Sequence, residues 1–272
     1  MEIKNLFQLL GFRGRARRYL YRVTEHVLQN GAVVKYAQWL HPTESSKRVT
    51  VDLILAYQEI LRPGDFCIDI GAHTGDSTLP MAIAAGLTGF TLAVEPNPFV
   101  YHVLEKNARA NRALAHIETM MAAATGEEGF IQFEYSDSGY CNGGRHEGIS
   151  PLSHGHAYKL DVFGVNLSKE LRECYSDVLA RLRYIKIDTE GYDLYVVRSL
   201  QEIIREFRPY MKVEIFKKSS TAYRKELFAF FLESHYSIHK ITTEPIGRGP
   251  LLSLADVNSW NHYDILCVPG ER

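Results

Sequence analysis

The sequence has no cysteine pair at motif spacing, no membrane-length apolar run, no internal repeat or low-complexity tract, and no excess of either charge. Its four cysteines, at positions 67, 141, 174 and 267, form no CxxC. Cys67 and Cys267 lie inside apolar runs, the pattern of reduced thiols in a reducing compartment. The most apolar window, Leu79 to Val94, is broken by Pro80, Gly86, Thr88 and Gly89, which excludes a spanning helix there. No apolar stretch followed by small residues opens the chain, and Arg13 to Arg18 fall where a secretory leader is hydrophobic. The expectation is a cytoplasmic protein with no transmembrane segment. With 31 Lys+Arg against 32 Asp+Glu, no overall field points to nucleic acid as partner.

What is present is the balance of a globular protein, 46% hydrophobic and 23% charged, in a length of 272 residues that suits one large α/β domain with an appendage. The near-neutral total hides a split. Nine basic and three acidic side chains lie in residues 1–50, which leaves the remainder acidic. We therefore divide the chain into an N-terminal helical extension, 1–50, and a main domain, 51–272. Leu6, Leu9, Leu10, Leu20, Val23, Val27 and Leu28 recur at helical spacing, predicting one or two amphipathic helices broken near Gly11 and Gly14. A helical lid on the main domain is the favoured role, with a membrane-surface or partner-binding element as the alternative. Residues 41–50 read as a polar linker, and Val51 to Leu61 as a further helix ending at Pro63-Gly64.

Beyond Asp65, short apolar runs alternate with helical stretches. Strands are predicted at Phe66 to Ile70, Phe90 to Val94, His116 to Met121, Tyr184 to Ile187 and Met211 to Ile215, with helices over 76–85, 98–110, 192–206 and 221–234. This alternation implies a doubly wound, mostly parallel, Rossmann-like sheet covered on both faces. Tyr236 to Ile241 and Tyr263 to Val268 are strand-like with only a loop between them, a C-terminal antiparallel hairpin closing the sheet edge. Five of the twenty glycines and three histidines (His146, His154, His156) crowd into 137–156, a loop long enough to gate a substrate. Metal binding by those histidines is the minor alternative, since no closed tetrahedral ligand spacing is present.

The strongest local signal is Asp69-Ile70-Gly71-Ala72-His73-Thr74-Gly75-Asp76-Ser77, directly after an apolar strand and opening a helix. Strand, glycine turn and helix N-terminus make a cradle for a nucleotide-containing ligand. The spacing is GxxxG rather than GxGxxG, and Asp69 repels a pyrophosphate while attracting a cationic amino group or sulfonium. S-adenosylmethionine combines a nucleoside with both of those groups. Glu95 ends the next strand, where an acidic side chain accepts hydrogen bonds from ribose hydroxyls.

These blocks resemble the FkbM family of class I methyltransferases. Pro63-Gly64-Asp65 leads into DIGAHTG (69–75), followed by Glu95-Pro96-Asn97-Pro98, by Ile185-Lys186-Ile187-Asp188-Thr189-Glu190-Gly191, and by Arg208-Pro209 with Val213-Glu214. Two positions depart from the family pattern: His73 stands where Asn is usual, and Ser199 where Gly is common. The resemblance implies a seven-stranded sheet with a terminal antiparallel hairpin, S-adenosylmethionine as cofactor, and O-methylation of a sugar, glycan or secondary metabolite. By position, Asp69, Gly71 and Gly75 frame the methionine end, with His73, Thr74 and Ser77 on the same turn. Glu95 takes the ribose, Pro96 and Asn97 approach the adenine, and Ala122 and Ala123 give the base a backbone contact.

Methyl transfer from a sulfonium needs alignment of the acceptor oxygen and a place for its proton. Asp188, ending its strand beside the crevice, and Glu190 two residues later are the candidate catalytic carboxylates. Two alternatives stand beside this: capping of the helix that begins near Tyr192, and a divalent cation held by both carboxylates, possible in principle but not favoured. Glu214 either reaches the crevice or pairs with Lys186, and Lys186 itself pairs with a carboxylate. Rival functions are a nicotinamide-dependent oxidoreductase, disfavoured by Asp69 and the missing GxGxxG, and a non-catalytic cofactor-binding scaffold. The acceptor, the role of the basic N-terminal segment and the oligomeric state are not encoded in any readable motif.

Overall fold

The computed structural model describes residues 15–29, 31–135, 137–141, 143–144 and 158–270. In chain order the elements are β1 (Tyr21–Val27), β2 (Val33–Trp39), α1 (Val51–Gln58), β3 (Phe66–Ile70), α2 (Thr78–Ala85), β4 (Phe90–Val94), α3 (Pro98–Ala110), β5 (Ile117–Met120), β6 (Ala123–Thr125), β7 (Gly129–Tyr135), β8 (Gly143–Gly144) and β9 (Tyr158–Asn166). There follow α4 (Leu167–Cys174), α5 (Ser176–Leu179), β10 (Leu182–Ile187), α6 (Asp193–Ser199), α7 (Gln201–Phe207), β11 (Tyr210–Ile215), α8 (Thr221–Glu233), β12 (Tyr236–Thr243), β13 (Gly247–Leu252) and β14 (Tyr263–Pro269).

The central sheet has eight strands in the order β13-β12-β14-β11-β10-β3-β4-β5. From β11 to β5 every pairing is parallel, while β14, β12 and β13 add antiparallel. The Rossmann-like architecture expected from the alternating pattern is present. The seven-stranded expectation needs correction, since β13 extends the edge beyond the expected hairpin. Its sequence, GRGPLL, suppresses strand propensity with two glycines and a proline, and Pro is tolerated there because β13 is an edge strand.

Every residue of β3 and β4 is buried, which is why those strands read as mainly apolar runs, broken only by Asp69 and Thr91. Phe66, Ile68 and Ile70 point into a core formed with α6, α7 and α8, and Cys67 points to the opposite core against α1 and α2. Asp69 shares the Cys67 face through the two-residue strand period. The β3/β10 register sets Lys186 directly beside it, so the sheet carries a buried charge pair below the loops at the carboxyl ends of these strands.

The predicted N-terminal helix over Leu20 to Leu28 is not formed. Residues 21–27 and 33–39 instead build an antiparallel hairpin, β1/β2. Tyr21, Val23 and Val27 alternate with polar residues at strand period. The β-branched content favours an extended backbone, and Asn30-Gly31 is a hairpin-turn dipeptide with Gly31 at φ +81°. The first part of that expectation, Leu6 to Leu10, lies outside the described residues.

The hairpin is fastened to α3 by two buried amides. Asn107 accepts from the Ala37 amide and donates to the carbonyls of Ala37 and Thr74, while Asn111 pairs with both backbone groups of Lys35. A second sheet, β6-β9-β7-β8, folds over the same end of the domain. Among the described residues no helix is long and apolar enough to cross a membrane, and all four cysteines are free.

Candidate active site

The chain leaves β3 toward β4 and β5 on one side and reaches β10 and β11 on the other, so a crevice opens at the carboxyl ends of β3, β4 and β10. A cavity of about 270 Å³ occupies it. Of the residues proposed from sequence, Gly71, His73, Ser77, Glu95, Pro96, Asn97, Ala122, Ala123, Asp188 and Glu190 line this one space. Asp69, Thr74 and Gly75 do not. Asp69 is fully buried beneath the turn, accepting from the Thr78 hydroxyl at 2.7 Å, and Thr74 shares a 2.7 Å hydrogen bond with the Tyr36 hydroxyl of the hairpin.

The turn needs its glycines. At Gly71, φ +79°, a Cβ would overlap the carbonyl oxygen of Asp188, so the β3 and β10 loops touch backbone to backbone. Gly75 sits at φ +86°, a left-handed conformation that favours glycine, and a Cβ there would press on the end of the Leu104 side chain of α3. Glu95 holds the other rim. Its carboxylate accepts from the His73 amide at 2.8 Å and the Asn97 amide at 2.9 Å. Burial nevertheless pushes its carboxyl up to about 7, with those two hydrogen bonds and Lys186 opposing and Asp69 adding to the rise.

Lys186 is the electrostatic centre of the floor. Its Nζ lies 3.4 Å from Asp69 Oδ1 and 3.1 Å from Asp188 Oδ2. Burial alone would strip its proton, but the two carboxylates hold it charged, well above the usual lysine range. For Asp188 burial is likewise outweighed by Lys186, and its carboxyl is lowered. Glu190 is held differently. It sits at φ +56°, a left-handed conformation that costs a non-glycine residue about 1–3 kcal/mol. Burial, with the charges of Asp188 and Asp193, pushes its carboxyl up to about 7.

The helix-capping alternative for Asp188 and Glu190 fails on geometry. α6 opens at Asp193 with no side-chain cap, and the Asp193 carboxylate instead braces the preceding turn, accepting from the Thr189 amide and hydroxyl and from the Gly191 amide. Glu214 follows neither expectation. It pairs with His262 at 3.1 Å rather than with Lys186, and burial with the surrounding carboxylates pushes it up to about 11, a neutral acid.

Sequence reading missed the far wall. Glu44 and Lys47 come from the segment read as a linker, and Asp76, Tyr135 and Cys141 join them around the cavity. Lys47 binds Asp76 at 2.7 Å. Asp76 was visible in the motif. Glu44 and Cys141 carried no signal, because irregular segments far apart in sequence bring them together. His146, His154 and His156 lie outside the described residues.

A Rossmann-like sheet with a glycine turn, an acidic strand end and a carboxylate-lined crevice defines a nucleoside-cofactor protein. The family comparison narrows this: residues 69–241 match the methyltransferase FkbM domain, and the chain belongs to that family. That membership decides against the nicotinamide-dependent oxidoreductase. The methyltransferase sdnD of Sordaria araneosa is 28% identical over 158 residues, covering 50% of this chain and 61% of its own length, so the chain spans under two thirds of that relative. Two solved structures are similar. The FkbM methyltransferase of Methylobacillus flagellatus aligns at TM-score 0.45 and 13% identity, over 79% of this chain and 50% of its own. An S-adenosylmethionine-dependent O-methyltransferase of Thermotoga maritima aligns at 0.45 and 12%, over 92% of this chain and 78% of its own.

Proposed function

We propose that the protein is an S-adenosylmethionine-dependent methyltransferase that methylates a hydroxyl on a sugar, glycan or secondary metabolite in a reducing, cytoplasmic setting. The observation that carries this reading is Glu95, a buried carboxylate at the end of β4, hydrogen-bonded to the glycine turn and lining the cavity at the sheet's switch point. The residues fit the cofactor chemically. Gly71 lets the β3 and β10 loops close together on one side of the cavity, Glu95 offers acceptor lone pairs to ribose hydroxyls, and the cluster of carboxylates favours a cationic ligand. When bound, S-adenosylmethionine supplies a methyl group activated by its sulfonium. The chain has three tasks: to orient the acceptor, to exclude water and to take a proton.

Asp188, kept ionised by Lys186, accepts a hydrogen bond from the acceptor hydroxyl and fixes its direction. Glu190, with a carboxyl near neutrality, takes the proton as the new C–O bond forms, since a base poised near the working pH is the most effective. We further propose that the β1/β2 hairpin and residues 41–50 shape the acceptor side of the cavity.

A protonated carboxyl is a weaker acceptor for ribose hydroxyls than a carboxylate, and burial has raised Glu95 to about 7. The affinity for S-adenosylhomocysteine should therefore be full above pH 7 and fall by up to about tenfold per unit below it. Glu95→Ala, which loses a charge-assisted hydrogen bond worth roughly 1.5–3 kcal/mol, should bind about 10- to 150-fold more weakly and without that slope. Isothermal titration calorimetry across pH reads both effects. An unchanged dissociation constant in a folded Glu95→Ala protein would remove the ribose role.

A further inference from the structure

We propose that Glu44, His73 and Cys141 form a binding site for a borderline-soft divalent cation of the Zn²⁺ class on the cavity wall. One ligand atom from each residue lies within 4.8 Å of the others. A carboxylate oxygen, an imidazole nitrogen and a cysteine sulfur are the donor set Zn²⁺ takes, and three protein ligands is the number of an open site whose fourth position is left for water or a cavity ligand. The inference does not rest on the methyl-transfer reading.

Each donor is held in place by its own element. His73 sits at φ +50° on the β3 turn, its amide fixed on Glu95 and its ring edge-on to Trp39 at 5.6 Å. Burial lowers the imidazole to about 4, so it is neutral and ligand-ready near pH 7. Cys141 closes a turn that Asp137 organises, its carboxylate accepting from the amides of Gly139 and Cys141 and contacting His41 at 2.9 Å. Asn97 ties the same turn to the end of β4 through the Tyr140 carbonyl at 2.6 Å. Glu44 is the independent pointer. Its side chain is 8% exposed, and its buried Oε1 has no hydrogen-bond partner.

Lys47 opposes a cation, yet its Nζ lies 2.7 Å from Asp76 and 3.7 Å from Glu44, so Asp76 is its main partner. Burial pushes the Cys141 thiol up to about 11. Binding a divalent cation releases that proton to solvent and leaves a thiolate ligand. Glu44, Asp76 and the thiolate then balance Lys47 and the cation, leaving no net buried charge.

The test is Co²⁺ titration of chelator-stripped full-length protein, followed by the near-ultraviolet thiolate-to-metal absorption and reversed with Zn²⁺. The expected result is one equivalent of Co²⁺ per chain with the thiolate band, unchanged in Cys174→Ser, which removes the exposed thiol. Cys141→Ala should abolish the band. His73→Asn, compatible with the positive φ, should weaken binding by more than about 100-fold, beyond the 10- to 100-fold typical of losing an outer-shell partner. Absence of a thiolate band in the wild type, or its survival in Cys141→Ala, overturns the proposal.

Discussion

Glu190→Gln should lower kcat by about 10²- to 10⁴-fold, the usual contribution of a general base, and leave S-adenosylhomocysteine binding nearly unchanged. Gln preserves the side-chain size and the left-handed backbone at φ +56° but cannot accept a proton. The wild-type rate should rise with pH through about 7 as Glu190 ionises, and the variant should lose that rise. The sign follows from the role. A base works deprotonated, and burial with the charges of Asp188 and Asp193 has raised Glu190 into the neutral range. Glu95 titrates in the same range but is proposed to act on cofactor affinity, so saturating cofactor separates the two. A Glu190→Gln protein with wild-type kcat would move the proton elsewhere and leave Asp188 as the remaining candidate.

Lys186→Met should destabilise the fold by about 3–5 kcal/mol, the cost of breaking a buried ion pair from one side. Asp69 is fully buried, and its Oδ1 has no hydrogen bond, only Lys186 at 3.4 Å. Without the ammonium, Asp69 is left fully buried beneath the glycine turn with no counter-charge. Urea denaturation should show a lowered midpoint with an unchanged m-value. Adding Asp69→Asn to Lys186→Met should recover most of the loss, because the unpaired buried charge goes with it. A single variant within about 1 kcal/mol of wild type would show that the pair does not support the floor of the site.

The elements that were legible in the sequence are those whose environment is uniform. β3, β4, β10 and β11 are buried along most of their length and so appear as short, mainly apolar runs, and α3 begins at Pro98 as expected, behind an Asn97 cap that the sequence reading did not anticipate. The N-terminal hairpin was misread because Leu20, Val23, Val27 and Leu28 satisfy a helical period as well as a strand one; the Asn30-Gly31 turn was the stronger clue. The second sheet was missed although β7, GFIQFEY, alternates clearly, because one of its faces is solvated.

Part of the cavity lining was readable for a similar reason. Gly71, Glu95 and Asn97 follow directly after strands, where position in the chain determines position in space. Asp69 shows the limit of that logic. A strand-end carboxylate looked like a direct counter-charge for the ligand, but its alternation places it under the sheet surface, where it acts on the cavity through Lys186. Glu44, Lys47 and Cys141 reach the cavity only through the packing of the hairpin and the 137–141 turn, which no local pattern encodes.

The most direct measurement is calorimetric titration of the full-length protein with S-adenosylhomocysteine, alongside NADH. One equivalent of S-adenosylhomocysteine per chain, with no heat from NADH, is the expected result. NADH binding in the absence of any S-adenosylhomocysteine heat from folded protein would contradict the assignment of this cavity to a methyltransferase cofactor.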